Sequence, residues 1–394
     1  MPSPSPRPRL VYLCNALDEK TRIERSITSD SPAATQKVLQ IALALRRSDV
    51  TTIILSLGRG RQRGSGRWHP TKIVRTQGVA IVYAPYFDFP WLTHLVTCLA
   101  VPCLIWRLRV LKPVLLAYNR LPHYLLGIEF ARLLGLRRFL DLEDGDVRDE
   151  GSVIRQWIAR AMTKRFDDLC DAGSLLAASS LSAQYSGSNT LPCYGVAESN
   201  ETARDWSANP LKVLLGGTLQ RTTGAELFVA AIRYLRQSNF KGLDLLEFNI
   251  TGKGQSEALL KTVAYEAGMP LVRFHGSVPH TEYLRILAFS HIGLVLNLPS
   301  SQLGGTTFPS KAINMAAAGL AIISTKVSDV PTIFQSDGAI YLEDENPQTL
   351  AKLLFDLLEE RQRLAAIAQQ GQHRVAEICS QAKVGQSLKT YFFN

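Results

Sequence analysis

Residues 308–325 read FPSKAINMAAAGLAIIST and hold a complete helix-to-strand unit. Pro309 suits the first turn of a helix, where its missing N–H costs nothing, and Gly319 suits the left-handed position that ends one. The run AIIS at 321–324 is short, apolar and β-branched, as buried parallel strands are. The stretch therefore predicts an α/β fold built on a parallel sheet.

The same alternation of short apolar runs and helical patterns extends along the whole chain. It predicts two Rossmann-like, doubly wound domains that face one another across a cleft, the default place for a ligand. The stretch 187–210 is polar and turn-rich, so we expect a linker there. The predicted division is 1–195, 196–375, and a segment 376–394 that returns to the first domain. Helices are predicted, among other places, at 91–111, 122–134, 180–186 and 347–370.

Positive charge is concentrated in the first half of the chain. The 394 residues carry 44 Lys and Arg against 34 Asp and Glu, a net charge of +10, and residues 51–140 hold 13 basic side chains but only 2 acidic ones. This field favours an anionic partner such as a membrane surface, a nucleic acid or a phosphorylated substrate, and a solvated basic face is the alternative. The composition, 46% hydrophobic and 20% charged, excludes a disordered or collagen-like chain.

Two features predict a cytoplasmic location. Residues 1–9 are rich in Pro and Ser and lack the apolar centre of a signal peptide. The six cysteines include no C-x-x-C pair, which predicts reduced core thiols and no metal site.

An apolar segment at 91–111 qualifies that expectation. Its uncharged part is short for a membrane span of about 20 residues. With Arg107, Arg109 and Lys112 at one end, it would instead lie in the plane of an anionic leaflet and form a membrane and acceptor face. A buried helix of an α/β domain has much the same pattern. We therefore expect either a core helix or a peripheral attachment to the inner face of a membrane.

Three glycine-rich turns follow predicted strands of the second half, at the edge where parallel sheets bind ligands. Backbone amides and basic side chains in such turns hold phosphates, although glycines after a strand also serve as simple tight turns. The candidate residues are, in chain order, Gly216, Gly217, Thr218, Arg221, Gly252, Lys253 and His275.

The helix start within 308–325 is the strongest candidate for a phosphate site. Lys311 brings a full positive charge there, and hydroxyl residues precede it at Thr306, Thr307 and Ser310. A helix terminus contributes roughly 0.3–1 kcal/mol, whereas one charge pair at about 4 Å contributes about 4 kcal/mol at an effective dielectric near 20. Lys311 would therefore dominate the binding of a phosphate.

This stretch resembles the donor-site helix of the family 4 retaining glycosyltransferases, bacterial group 1 enzymes of polysaccharide synthesis with the two-domain GT-B fold. The similarity continues over 211–231, the G-x-G turn at 251–254, and FHGSVP at 274–279, and it is looser in the first half, at 31–34, 117–119 and 194–196. The resemblance implies that 1–195 binds the acceptor and 196–375 the nucleotide sugar.

The chain departs from the family pattern at its paired glutamates. These positions fall on Thr306 and Asn314. Asn314 can still hydrogen-bond a ribose hydroxyl, but a neutral amide forms a weaker contact than a carboxylate.

On the acceptor side, residues 139–146 read FLDLEDGD and resemble the family's F-D-x-x-D segment. By motif position, Asp144 is the residue expected to orient the acceptor hydroxyl or receive its proton. The alternative is that these carboxylates cap the helix predicted near 153.

The resemblance implies transfer of a sugar from a nucleotide-sugar donor to a glycan or lipid-linked acceptor, with retention of configuration. Catalytic roles fall on Lys311, Arg221 and Asp144, and the remaining loop residues named above would bind the donor. The donor half has no D-x-D motif, so we expect no metal and no cofactor beyond the nucleotide sugar as co-substrate. The alternatives are an inactive GT-B scaffold that binds glycan, nucleotide or a partner enzyme, and an epimerase. Nucleic-acid binding is not expected, because no basic motif with interleaved aromatics occurs.

Overall fold

The structure is a computed structural model that describes residues 7–28, 30–60, 66–143, 145, 152–199, 204–238, 240–301 and 306–394. The chain forms two compact units. The first unit consists of Met1–Val196 with Gln381–Asn394, and the second is Ala197–Ser380.

The first unit is built on one large sheet. Its strands are β1 (Arg9–Cys14), β2 (Thr51–Ser56), β3 (Trp68–His69), β4 (Lys72–Thr76), β5 (Val79–Tyr83), β6 (Tyr86–Phe87), β7 (Val114–Tyr118), β8 (Arg138–Leu142), β9 (Gly173–Leu176) and β10 (Thr190–Pro192). Within the described residues, eight of them lie in the order β10-β9-β8-β7-β1-β2-β5-β4, and β3 pairs with β6 separately. Only the edge strand β4 is antiparallel to its neighbour in the large sheet.

Helices of the first unit follow the strands as crossovers. They are α1 (Glu19–Glu24), α2 (Pro32–Arg47), α3 (Pro90–Leu108), α4 (Leu125–Leu133) and α5 (Val153–Leu169). The hydroxyl of Ser31 caps α2 by accepting a hydrogen bond from the amide of Ala34. Because β1, β2, β7 and β8 are parallel neighbours, the loops that follow them meet at one edge of the sheet.

The second unit has an all-parallel sheet in the doubly wound order. Its strands are β11 (Leu211–Thr218), β12 (Leu246–Lys253), β13 (Leu271–Gly276), β14 (Ile292–Val295), β15 (Ala321–Thr325) and β16 (Ile340–Leu342). Among the described residues they lie in the order β13-β12-β11-β14-β15-β16, so the direction of winding reverses between β11 and β14. Ligands of such sheets bind outside the carboxyl ends of the strands at this reversal.

The helices of the second unit cover both faces of its sheet. They are α6 (Ala225–Gln237), α7 (Glu257–Tyr265), α8 (His280–Phe289), α9 (Lys311–Ala317), α10 (Val330–Phe334), α11 (Pro347–Asp356) and α12 (Arg361–Cys379). A last helix, α13 (Gln381–Phe393), packs against α2 of the first unit. The α/β fold with parallel sheets predicted from the sequence is confirmed.

Three predicted helices differ in detail. The predicted helix over 347–370 is wrong as a single element, because α11 packs on α6 whereas α12 packs on α9 and β15. The predicted helix over 180–186 is a 3₁₀ helix, Ser179–Gln184. The segment 122–134 begins with a 3₁₀ turn, Pro122–Tyr124, before α4. The predicted linker 187–210 also contains an edge strand, β10.

Candidate functional site

The reversal point of the second sheet is lined by glycine backbone. A β-carbon built on Gly252 would lie 1.8 Å from the carbonyl oxygen of Gly217, and one on Gly254 would lie 2.1 Å from that of Leu219. No side chain fits either position, so the loops after β11 and β12 approach more closely than other residues would allow. Gly252 therefore has a packing role, and its predicted part in donor binding stays a prediction.

Lys311, the first residue of α9, lies over this glycine backbone. A β-carbon on Gly217 would be 3.7 Å from Cδ of Lys311, which is ordinary van der Waals contact. The lysine side chain thus passes over the end of β11, at the reversal point. Two of the predicted site residues, Gly217 and Lys311, are brought together by the fold.

The amine of Lys311 belongs to a half-buried side chain and has no counter-ion among the described residues. Within the part of the chain that the structure describes, no carboxylate forms an ion pair with it, and burial alone lowers its pKa to about 8. Removing a cation from water without pairing it is costly. A diphosphate brought to this position would supply the missing charge.

Gly216 is the second contact point of the site. A β-carbon there would lie 3.1 Å from the hydroxyl of Thr251, 3.4 Å from Cε of Met315 and 3.7 Å from the ring of Tyr283. Burial raises the pKa of Tyr283 to about 12, so the phenol stays protonated and available as a donor.

Arg221 lies on the protein surface. It starts a 3₁₀ turn, Arg221–Thr223, that Gln220 caps, and its guanidinium pairs with Glu226 at 3.5 Å while its side chain is 78% exposed. The hydroxyl of Thr223 donates to the carbonyl of Thr218 at 2.6 Å, which closes the loop on itself. The structure records no contact between Arg221 and Lys311, and the catalytic role of Arg221 stays a prediction.

The other predicted donor residues are spread along the same edge. His275 is held by Asn249 at 2.8 Å, and Asn249 in turn donates to Glu247 at 3.1 Å. Burial and the charge of Arg273 lower the pKa of His275, so its imidazole is neutral at pH 7. The remaining candidates are half-buried or exposed: Thr306, Thr307, Ser310, Asn314 and Lys253.

Thr307 has one feature that the sequence does not show. Its hydroxyl oxygen is buried and has no hydrogen-bond partner among the described residues. A buried hydroxyl without a partner costs free energy, which a ligand oxygen would recover.

In the first unit, two carboxylates of the segment 139–146 form ion pairs within the fold. Asp141 is fully buried, accepts a hydrogen bond from the hydroxyl of Tyr12, and pairs with the amine of Lys37 at 3.1 Å. Lys37 also pairs with Glu143. The lysine therefore neutralises two of these carboxylates within the fold. Asp144, the predicted acceptor residue, lies outside the described residues.

Sequence reasoning missed Arg204, which lies in the predicted linker. Its guanidinium donates to the carbonyls of Ala288 at 3.1 Å and Gly319 at 3.0 Å, and also to those of Leu287, Ser290 and Ala318. These carbonyls lie at the C-terminal ends of α8 and α9. Arg204 thus fixes the helix that carries Lys311. No local pattern could reveal it, because its partners are more than 80 residues away.

The comparison with known families concerns this second unit. Residues 221–384 match the model of the family described as glycosyl transferase-like. The second unit is therefore similar to a glycosyltransferase domain over most of its length, which is less than half of the chain. Its matched region contains Lys311, Tyr283 and the glycine turn at Gly252.

A curated glycosyltransferase is similar to part of the chain. The amylovoran biosynthesis glycosyltransferase AmsK of Erwinia amylovora is 28% identical over 160 residues. The match covers 40% of this chain and 38% of AmsK, so it spans well under half the length of either protein.

Solved structures establish the fold of both units. HepE of Anabaena in complex with UDP is 11% identical, covers 97% of this chain and 98% of its own, and gives a TM-score of 0.67. Sucrose-phosphate synthase of Thermosynechococcus elongatus is 13% identical, covers 98% of each chain, and also gives 0.67. At this identity the likeness concerns the fold alone, and that fold is GT-B.

Proposed function

We propose that this chain transfers a sugar from a nucleoside-diphosphate sugar to a hydroxyl of a glycan or lipid-linked acceptor. The observation that carries the proposal is the half-buried side chain of Lys311, which pairs with no carboxylate among the described residues and lies against the backbone of Gly217 at the reversal point of the second sheet. AmsK is named for amylovoran biosynthesis, and HepE was crystallised with UDP and with UDP-glucose. Both names support a nucleotide-sugar donor and a polysaccharide product.

In this reaction the site must stabilise a leaving diphosphate. As the bond to the sugar breaks, negative charge grows on the diphosphate, and a fixed ammonium next to it stabilises the transition state more than the ground state. Tyr283 and the hydroxyl of Thr307 are additional donors near the same edge. Retention of configuration and independence from metal ions are part of the proposal. The first rests on the resemblance of 308–325 to the retaining family, and the second on the lack of a D-x-D motif in the sequence of the donor half.

A binding screen tests the donor site before any acceptor is known. UDP, GDP and ADP, each alone and with attached sugars, are added to the full chain during thermal unfolding. We expect one nucleotide series to raise the midpoint by several degrees, because a ligand at about 100 times its Kd stabilises by about 2.7 kcal/mol. Transfer or slow hydrolysis of the matching nucleotide sugar should accompany the shift. A shift without any turnover would favour the inactive scaffold, and no shift with any nucleotide would contradict the donor site.

We also propose that the first unit attaches to an anionic membrane through α3. One face of α3 packs into the unit through Thr97, Val101 and Ile105. The opposite face leaves apolar side chains exposed, with Leu99 at 59% and Val110, in the following turn, at 72%. An exposed apolar face of this kind marks an interaction surface.

Cations border this exposed face. Arg107 and Lys112 are exposed, and the guanidinium of Arg109 lies 3.2 Å from the ring centre of Trp106, which is itself 46% exposed. A basic aromatic pair beside apolar side chains suits the headgroup region of a bilayer. The cysteines of the described residues are free thiols, which supports a location on the cytoplasmic side.

Flotation with liposomes tests this attachment. The protein should float with phosphatidylglycerol-containing vesicles and much less with pure phosphatidylcholine, since each basic side chain near the surface contributes about 1 kcal/mol. The double variant R107Q/R109Q should bind roughly tenfold more weakly or worse. The control K20Q/R75Q removes two exposed charges elsewhere in the same unit and should float normally. Equal flotation of both variants would rule out α3 as the membrane face.

A further inference from the structure

Three basic side chains from separate elements meet in the first unit, and none of them has been given a role above. Arg59 follows β2, His94 lies on α3, and His123 lies in the 3₁₀ turn after β7. Nη1 of Arg59 lies 2.9 Å from Nδ1 of His94, and that nitrogen also contacts Nε2 of His123. The two imidazole rings are stacked with their centres 4.5 Å apart.

The cluster occupies the ligand-binding edge of its sheet. The strand order of the first unit reverses between β1 and β7, and Asn15 and His123 follow these two strands. Asn15 fixes the backbone of Arg59 through two hydrogen bonds: its amide donates to the Arg59 carbonyl at 2.7 Å, and its side-chain oxygen accepts from the Arg59 amide at 3.0 Å. The arginine is therefore held at the reversal point, where doubly wound sheets bind ligands.

The cluster contains a cation and no anion. Among the described residues, no carboxylate pairs with the half-buried Arg59, and the other titratable groups that face it are Tyr86, Cys98 and Tyr124. Burial and the charge of Arg59 lower the pKa of His123 to about 4, and the same two causes lower the pKa of His94.

The hydrogen bonds of the cluster are also incomplete. Among the described residues, the side chain of Arg59 has no acceptor except Nδ1 of His94, so that nitrogen must be unprotonated. Nδ1 of His123 is buried and has no partner among the described residues. A metal ion is disfavoured here, because the fixed positive charge of Arg59 would repel it. An oxyanion would satisfy the guanidinium and, by raising the basicity of both imidazoles, turn them into donors as well.

We propose that Arg59, His94 and His123 bind a phosphate or pyrophosphate group of the acceptor. The inference rests on the proposed transferase function and adds the chemical class of its second substrate. His94 belongs to α3, whose exposed apolar face begins one residue later at Leu95. The same phosphate chemistry is offered by a lipid-linked acceptor and by a soluble sugar phosphate, and the test below separates these two sources.

Calorimetric titration with inorganic pyrophosphate tests the site in the full chain. All proteins carry K311M, so that the proposed donor site does not contribute. We expect binding to the K311M protein, and about tenfold or greater weakening in R59Q/K311M and in H94Q/K311M, because a charge-assisted contact is worth 1.5–3 kcal/mol. R75Q/K311M is the matched control, since Arg75 is exposed on β4 of the same unit, and it should bind normally. His94 is exposed, so H94Q remains informative even where R59Q fails to fold.

A second readout separates ligand contact from a structural role. Pyrophosphate should shift the imidazole ¹⁵N resonances of His94 and His123 towards those of the protonated ring. Two measurements identify the source of the phosphate. Displacement of pyrophosphate by a soluble sugar phosphate would indicate a soluble acceptor. Capture of the protein by phosphatidylcholine vesicles doped with phosphatidic acid would indicate a lipid-linked acceptor. The phosphate site would be overturned if the K311M protein did not bind pyrophosphate, or if R59Q/K311M and R75Q/K311M lost affinity for it equally. The nucleotide-induced rise in unfolding midpoint of the unmutated chain would still report on the donor site independently.

Discussion

Replacing Lys311 by methionine is expected to lower sugar transfer by roughly a thousandfold while the protein stays folded. The side chain of Lys311 lies against Gly217, and a charge pair at about 4 Å and an effective dielectric near 20 contributes about 4 kcal/mol. If the transition state loses about 4 kcal/mol of stabilisation, the rate falls by about three powers of ten. Steady-state measurement of kcat/KM with the nucleotide sugar identified by the binding screen gives the number directly.

The stability of the same variant separates function from folding. The pKa of Lys311 in the folded chain, about 8, is below its unfolded value, so the cost of the buried charge is fully present below pH 8 and disappears as the pH rises towards the unfolded pKa. Methionine removes that cost, and K311M should unfold at an equal or higher temperature than the natural chain at pH 7. K326M, which removes an exposed lysine paired with Glu343, is the matched control and should keep normal activity. Near-normal turnover of K311M would refute the role of the lysine.

The pH profile provides a further readout of Lys311. In the free enzyme the amine loses its proton above about pH 8, so kcat/KM should fall above that pH. A bound diphosphate stabilises the ammonium, so the corresponding fall in kcat should occur at higher pH. In K311M, kcat/KM should not show the fall at alkaline pH that deprotonation of the Lys311 amine causes.

The second large effect concerns stability, and it is expected at Arg204. Alanine at this position removes the guanidinium that donates to five carbonyls at the ends of α8 and α9, and it removes a cation from two helix C-termini. Hydrogen bonds to a charged group contribute about 1.5–3 kcal/mol each, but water replaces part of them, so we expect a loss of about 3 kcal/mol. For a unit of this size, that lowers the unfolding midpoint by roughly 6–12 °C.

A surface arginine on α8, one of the two helices that Arg204 contacts, provides the control for Arg204. Arg285 pairs with Glu282 at 3.2 Å and its side chain is 74% exposed. R285A should change the free energy of unfolding by less than about 1 kcal/mol, as exposed ion pairs generally do. Differential scanning calorimetry of both variants decides the point, and an R204A midpoint no lower than that of R285A would contradict the capping role.

The sequence predicts the sheets well because their signal is local. A buried parallel strand needs only a short apolar run, and β1, β7 and β8 are found where such runs occur. Glycines and Pro309 predict the turns around Lys311 for the same reason. The edge strand β4 is missed, because its exposed residues alternate with half-buried ones and give no apolar run.

Elements that depend on distant contacts are not predictable in this way. The helical pattern over 347–370 contains no break, and only packing on two different surfaces divides it into α11 and α12. Arg204 and Arg59 each lie in a polar, turn-rich stretch of the sequence, and their hydrogen-bond partners lie far away along the chain. The sequence predicts a phosphate-binding role for Lys311 from its position at a helix start, but the absence of a described counter-ion beside it is visible only in three dimensions.

A crystal structure with the nucleoside diphosphate that stabilises the protein most tests the central claim directly. The account predicts Nζ of Lys311 within about 3 Å of a phosphate oxygen, as charge-assisted hydrogen bonds require, with the diphosphate lying over Gly216 and Gly217. A diphosphate bound elsewhere, or a lysine amine turned away from it, would contradict the account.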